Sequence, residues 1–504
     1  MCNFVAVLQK NMKEQSESKY RHVLKYTGIF GSVQVLVILI GLVRNKAMAL
    51  LLGAGGIGFN SLMTSMQNFA SQATNLGISF GAVPRLSEYF EQGDVRRQEY
   101  YMMVIRLWSL IAAVLGLLLC VAVSPFVNEV SFTWGDHTLH YAMLGFSVAF
   151  MALTSGETAI LKATRHLGSL ARIQVLTAIV AVILSLPLYF FWRHRGIVPA
   201  ILLVSFATMV VTMVFSYCRY PLRLSFRRSL LSDGASMIRL GVAFVLAAAV
   251  GSASEMFIRS FLNVEGGLDV VGWYNVGFMI TITYAGMVFS SMESDYFPRL
   301  SAVQKDIAAT NDTVNKQVEV SLLLLAPMLI ALLALLPVLI PMLFSREFLP
   351  VISMAQVTVL AMYFKVLTMP VAYISLARSR SLVFLSLETS YYLALVVAVV
   401  VGFRYWGIYG TGVAIVVAHA FEFVLTMTVA KIKYSYRSTG TIATYALAQM
   451  TFGVLAFVVS LAFDGWIYWI TEAALAIAST AYSLNILRQK THLWEALKQK
   501  FVRS

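Results

Sequence analysis

An all-α integral membrane protein with about 14 transmembrane helices, arranged as two parallel six-helix repeats around a central cavity plus two C-terminal helices, is the fold class the sequence predicts. Three observations carry that expectation. First, 59% hydrophobic residues, 12% charged residues and a mean hydropathy of +0.77 give the 504-residue chain more apolar surface than a soluble domain can bury. Second, Gly58-Phe59 followed by Pro84-Arg85-Leu86-Ser87 recurs, without insertion, 214 residues later as Gly272-Trp273 followed by Pro298-Arg299-Leu300-Ser301. Third, the basic residues alternate between connections as the positive-inside rule requires.

A span needs about 20 apolar residues. Read against that length, the first half carries spans near 27–52, 58–82, 103–124, 140–162, 168–191 and 196–217. The second half carries 237–260, 271–296, 318–344, 352–377, 381–402 and 407–430, and two further spans follow at 441–463 and 465–487. The chain thus divides into an N-terminal segment 1–26, a six-helix half 27–217, a basic linker 218–236, a second half 237–430, an extra pair within 431–487 and a tail 488–504. Residues 1–26 carry Lys10, Lys13, Lys19, Arg21 and Lys25 and lack the apolar core and small-residue cleavage site of a secretory signal.

The second span is interrupted by Ser61, Thr64, Ser65, Gln67, Asn68, Ser71 and Gln72, which suits a helix lining a wet cavity. Pro84 and Pro298 are expected to kink or end the second and eighth helices. A third match, Arg195-Gly196-Ile197 against Trp406-Gly407-Ile408, lies just before the sixth and twelfth helices at an offset of 211, so three residues differ between the copies.

With the N-terminus placed in the cytoplasm, only Arg193, Arg195, Arg259, Arg346 and Arg404 of the 38 Lys and Arg fall in outside connections, and Arg44, Lys46, Arg106 and Lys365 fall in spans. The rest lie inside, which puts both termini in the cytoplasm. The net charge of +14 is therefore a set of topology signals rather than a nucleic-acid groove. Cys2, Cys120 and Cys218 are scattered and suggest no disulfide or metal cluster.

Gly53-Ala54-Gly55-Gly56-Ile57-Gly58 has the form of a dinucleotide-binding fingerprint, but a membrane helix precedes it where a strand is required, so it reads as a turn between spans. No phosphate-binding loop and no H-E-x-x-H occurs. His137 and His140 have no third ligand in view and read as solvated histidines. No cofactor, no metal and no enzymatic activity are expected.

Charges inside apolar runs are the chemical signal, because each costs at least about 2.5 kcal/mol at the bilayer centre. Arg44, Lys46 and Lys365 are the candidate cavity cations, with Arg85 and Arg299 at the ends of the second and eighth helices. Arg and Lys together suit a phosphate or pyrophosphate group. Arg85 and Arg299 have an equally good reading as interfacial anchors. Glu157, Glu255, Glu293, Asp295, Glu388 and Glu422 are candidates for ion pairing or for protonation that couples the cycle to a gradient, those near helix ends having snorkelling as the alternative.

Lys46-x-x-Ala49-x-x-x-Gly53, running into Gly55-Gly56-Ile57-Gly58-Phe59 and then a polar helix ending Asn75-Leu76-Gly77-Ile78-Ser79, resembles the Wzx-type lipid-linked oligosaccharide flippases. These O-antigen and polysaccharide repeat-unit flippases belong to the multidrug/oligosaccharidyl-lipid/polysaccharide exporter superfamily, with the multidrug and toxin extrusion antiporters and the lipid II flippase. The likeness is densest over about the first 100 residues and rests on the helix plan beyond them. It implies a bacterial inner-membrane protein that moves undecaprenyl-pyrophosphate-linked repeat units to the periplasmic face by alternating access. Lys46, where relatives often carry a cavity lysine, and Arg44 beside it would bind the pyrophosphate. A polysaccharide polymerase and a chain-length regulator are the implied protein partners.

The family commonly shows twelve spans; the extra pair resembles the lipid II flippase plan and keeps that substrate class open. A multidrug or cation antiporter of the same superfamily is the main alternative. A glycan polymerase would need a large outside loop, and none is visible.

Overall fold

The computed structural model describes residues 2–222, 228–283, 286, 296–378 and 380–490, and within these the backbone is helical apart from short turns. Ten helices among the described residues are long and apolar enough to cross a membrane. The chain runs through α1 (Cys2–Thr74), α2 (Ile78–Glu91), α3 (Val95–Ser131), α4 (Thr138–Ala163), α5 (Leu167–Trp192), α6 (Ile197–Tyr217) and α7 (Arg228–Phe278). It continues through α8 (Ile307–Leu343), α9 (Val351–Ala377), α10 (Ser381–Tyr434), α11 (Gly440–Ala462) and α12 (Gly465–Lys490). Fourteen sequence segments and ten long helices differ because several predicted spans run together across a bend rather than through a loop.

Those bends repeat. Gly53 in α1 has φ 67°, ψ −168°, and Gly267 in α7, at the 214-residue offset, has φ 84°, ψ 176°. Both lie in a region open almost only to glycine, where a Cβ would clash with the backbone. A second pair obeys the same offset: Arg193, after α5, has φ 50°, ψ −131°, and Gly407, inside α10, has φ 57°, ψ −142°. The three residues by which the copies differ are taken up by the 3₁₀ turn Arg193–Gly196, after which α6 starts at Ile197.

The expectation for Pro84 is corrected. The chain breaks earlier, at Leu76 (φ 53°) and Gly77 (φ 70°), and Pro84 lies exposed within α2. Two successive left-handed residues end a helix more abruptly than one proline, which removes a single i→i−4 hydrogen bond. Pro298 lies in a helical stretch over residues 296–303. Exposure along the duplicated tetrapeptide matches: Pro84, Arg85, Pro298 and Arg299 are exposed, while Leu86 and Leu300 are fully buried. Leucine is therefore the packing residue of this motif in both copies.

Two compact units are present, one built from 1–51, 70–124 and 138–242, the other from 52–69, 125–137 and 243–504. In the first, α2, α3, α4 and the start of α7 share a core around Leu86, Tyr101, Ile105, Ile160, Leu230 and Met237, and α6 packs on α4 and α5. In the second, α9 lies along α10, and α8 packs against α9, α11 and α12. Pro125–His137 holds a further correction. His137 is packed rather than solvated: its ring centroid is 4.2 Å from that of Phe132, 5.0 Å from Trp134 and 5.4 Å from Phe59.

Candidate functional site: polar networks within the spanning helices

An ionisable side chain in a span persists only where partners or water offset its desolvation. The second unit holds most of them. Its network begins where α1 crosses α7. Ser61 donates to Asn275 Oδ1 at 2.9 Å, and Arg259 Nε donates to Ser61 Oγ at 2.8 Å. The same guanidinium pairs with Glu255 Oε2 at 3.0 Å, one helical turn away, with the arginine buried and the carboxylate a third exposed. The approach is close because two glycines face backbone: a Cβ on Gly58 would lie 1.9 Å from Leu268 O, and one on Gly272 would lie 2.1 Å from Ala54 O. Nearby, Glu347 accepts from the Ala54 N–H with Oε2 at 3.2 Å and from Trp273 Nε1 with its carbonyl at 2.9 Å, capping the helix restarted at Gly53.

A second group joins α9 and α10. Lys365 on α9 lies within electrostatic reach of Glu388, Glu422 and His419 on α10. His419 is fully buried; Nδ1 stands 2.9 Å from the Ile415 carbonyl, which can only accept, so that nitrogen carries the proton and Nε2 accepts from the Tyr391 hydroxyl at 3.4 Å. The neighbouring Tyr392 packs over Gly251 and senses Glu255, Glu388 and Glu422, linking both groups. Two carboxylates, Glu388 and Glu422, are thus within that reach of a single lysine.

In the first unit, Arg106 and Glu157 form a buried, two-pronged ion pair, Nε to Oε1 at 2.8 Å and Nη2 to Oε2 at 3.2 Å. Ser216 Oγ donates to Glu157 Oε2 at 2.6 Å. Arg106 also donates to the carbonyls of Pro221 and Tyr220 at 2.9 and 2.8 Å, and lies 4.9 Å over the Tyr217 ring. The pair thus ties α3 and α4 to the end of α6. Arg44, half-buried on α1, donates from Nη2 to the Tyr189 hydroxyl on α5 at 3.4 Å, and its Nε is buried without a partner. Lys46 is half-buried two residues on. A 390 Å³ cavity between α4 and α6 is lined by Thr154, Ser155, Thr158, Ser205 and Thr208 with Lys162.

The remaining candidates stand apart from these networks. Arg85 is exposed and donates to the Tyr89 hydroxyl at 3.3 Å, and Arg299 is exposed and donates to Gln317 Oε1 at 3.4 Å. Glu293 and Asp295 lie outside the described residues. Sequence reasoning missed Arg106, Arg259, Glu347 and His419 as network members, and missed the isolated Glu472. Glu472 on α12 is fully buried and neither carboxylate oxygen has a hydrogen-bond partner. Its place inside an apolar run was the signal that marked it.

Residues 47–353 match the profile of a family described as "Polysaccharide biosynthesis protein". No curated protein matches the chain. Among solved structures, the chain is similar to the lipid II flippase MurJ in an inward-closed conformation, with a TM-score of 0.64 and 14% identity, covering 92% of this chain and 99% of that one. It is similar to an inward-facing multidrug resistance MATE family transporter of the MOP superfamily, at 0.63 and 15% identity, covering 80% of this chain and 94% of that one. A MOP superfamily transporter from Pyrococcus furiosus gives 0.54 and 13% identity, covering 81% of this chain and 94% of that one. At such identities the likeness is one of fold alone.

Proposed function

Because the chain belongs to the polysaccharide biosynthesis protein family, we propose that it is a flippase for undecaprenyl-pyrophosphate-linked oligosaccharide repeat units in the bacterial inner membrane, working by alternating access with both termini in the cytoplasm. The observation that carries this reading is the pairing of that family with cations held inside spans: Arg44 with a buried unpartnered Nε and Lys46 beside it. A guanidinium and an ammonium offer a pyrophosphate fixed donors and charge where the apolar surroundings weaken screening. The polyprenyl tail stays in lipid while the six-helix halves, 27–217 and 237–430, rock about a central cavity. The carboxylate in excess over Lys365, from Glu388 and Glu422, takes the coupling proton or cation.

The test is complementation of a strain that lacks its own oligosaccharide flippase. Surface polysaccharide is restored by the wild type and lost with Arg44→Ala and Lys46→Ala at unchanged protein level. Normal polysaccharide from both variants refutes the reading.

A further inference from the structure

A second cationic site lies at the ends of the helices in the second unit. A cavity of about 670 Å³ is lined by Lys305, Arg378, Arg380 and Lys433, with Gln304 and Tyr434, and no carboxylate is among its lining residues. The nearest acid in sequence, Asp306, is engaged elsewhere, its Oδ1 accepting from the N–H groups of Ala308 and Ala309 to cap α8. Basic residues at span ends are ordinary topology signals. Topology does not explain why four from three connections converge on one cavity, nor why its polar atoms are left waiting. Tyr434 is only 7% exposed, and its hydroxyl has no hydrogen-bond partner. Arg378 lies 5.4 Å over the Tyr434 ring, and its Nε is likewise buried and unpartnered. Buried donors without acceptors, beside uncompensated positive charge, define a place for an anion with several oxygens.

Val383 and Lys433 line the cavity and also line an adjoining groove of 260 Å³, formed by Leu382, Ser386, Leu387, Ser390, Leu425 and Val429 on the two arms of α10. The groove is apolar in effect, because Ser386 and Ser390 donate their hydroxyls to the carbonyls of Leu382 and Ser386. A cationic chamber continuous with an apolar trough matches an amphiphile whose head is a phosphoryl group and whose tail is a hydrocarbon chain. We propose that the cavity of Lys305, Arg378, Arg380 and Lys433 binds the phosphate of a membrane lipid whose chain lies in the Leu382–Val429 groove. This inference rests on the second unit alone and stands whether or not the transport reading does.

The full-length protein in detergent is mixed with dioleoyl phosphatidic acid or with dioleoylglycerol, which has the same chains and no phosphate, and bound lipid is counted by native mass spectrometry. Phosphatidic acid is expected to be retained and dioleoylglycerol not. The double substitution Arg378→Gln, Arg380→Gln weakens retention about tenfold or more, from the loss of two charge-assisted contacts. Ser386→Trp, at an exposed groove position, fills the trough and weakens it as well while leaving the thermal midpoint unchanged. Equal retention of both lipids, or wild-type retention by the double variant, overturns the proposal. Displacement of phosphatidic acid by millimolar inorganic pyrophosphate, with no effect of Ser386→Trp, overturns it in favour of a soluble phosphate site.

Discussion

Ser61 and Asn275 are the same position in the two copies of the repeat, and they hydrogen-bond to each other at 2.9 Å across 214 residues. Equivalent positions meet only on the axis that relates them. The glycines obey the same symmetry, Gly58 facing Leu268 and Gly272 facing Ala54, each contact being the 214-residue image of the other. Arg259, which donates to Ser61, breaks the symmetry, because the corresponding position in the first copy is Asn45.

The glycine crossing should fail equally from either side. Gly58→Val and Gly272→Val each place a side chain on a backbone carbonyl, at an overpacking cost of about 1 to 3 kcal/mol. Thermal unfolding of the detergent-solubilised protein should show similar drops for both. Gly41→Ala, inside α1 with nothing within 4 Å of the new Cβ, serves as the control that should not lower the midpoint.

Arg193 occupies a backbone conformation that its counterpart in the second copy gives to glycine. Arg193→Gly should therefore raise stability by about 1 kcal/mol through relief of strain, less the hydrogen bond from Nη1 to the Leu51 carbonyl at 3.2 Å. A lower unfolding midpoint would show that this bond outweighs the strain.

Removing one member of the Arg106–Glu157 pair leaves a buried charge alone. Arg106→Ala should cost about 3 to 5 kcal/mol, and the double change Arg106→Met, Glu157→Leu should cost less than the single one. Denaturant unfolding of the three proteins decides this. The single variant should also free the 218–222 stretch to proteolysis, because the carbonyls of Tyr220 and Pro221 lose their donor.

His166, in the turn between α4 and α5, has its pKa lowered by burial and by the charge of Arg219. The folded state then prefers the neutral ring, while the unfolded chain takes up a proton near the ordinary value of about 6.5. Below that pH the unfolded state binds more protons, so stability falls as pH drops from neutral through the window down to the lowered folded value. His166→Asn should flatten the dependence of the unfolding midpoint on pH between about 7 and 5.

Local patterns in the chain were enough to determine that it is a membrane protein and that it is duplicated. Apolar run length is set by bilayer thickness, and the glycine-rich stretch from Gly53 marks a turn between the first two spans that needs no distant partner to define it. Arg44, Lys46, Lys365, Glu388 and Glu422 were legible as candidates because a charge in a span is costly wherever it points. Partners were not legible. Arg106 meets Glu157 and the linker carbonyls, Glu347 meets Ala54, and His137 meets Phe59 only once helices distant in sequence are packed. The break at Leu76–Gly77 rather than Pro84 was likewise decided by tertiary structure. Hydrophobicity and backbone preference act over a turn or two and are written locally. Hydrogen-bond partners and shared cavities depend on which faces meet, and only the assembled helices decide that.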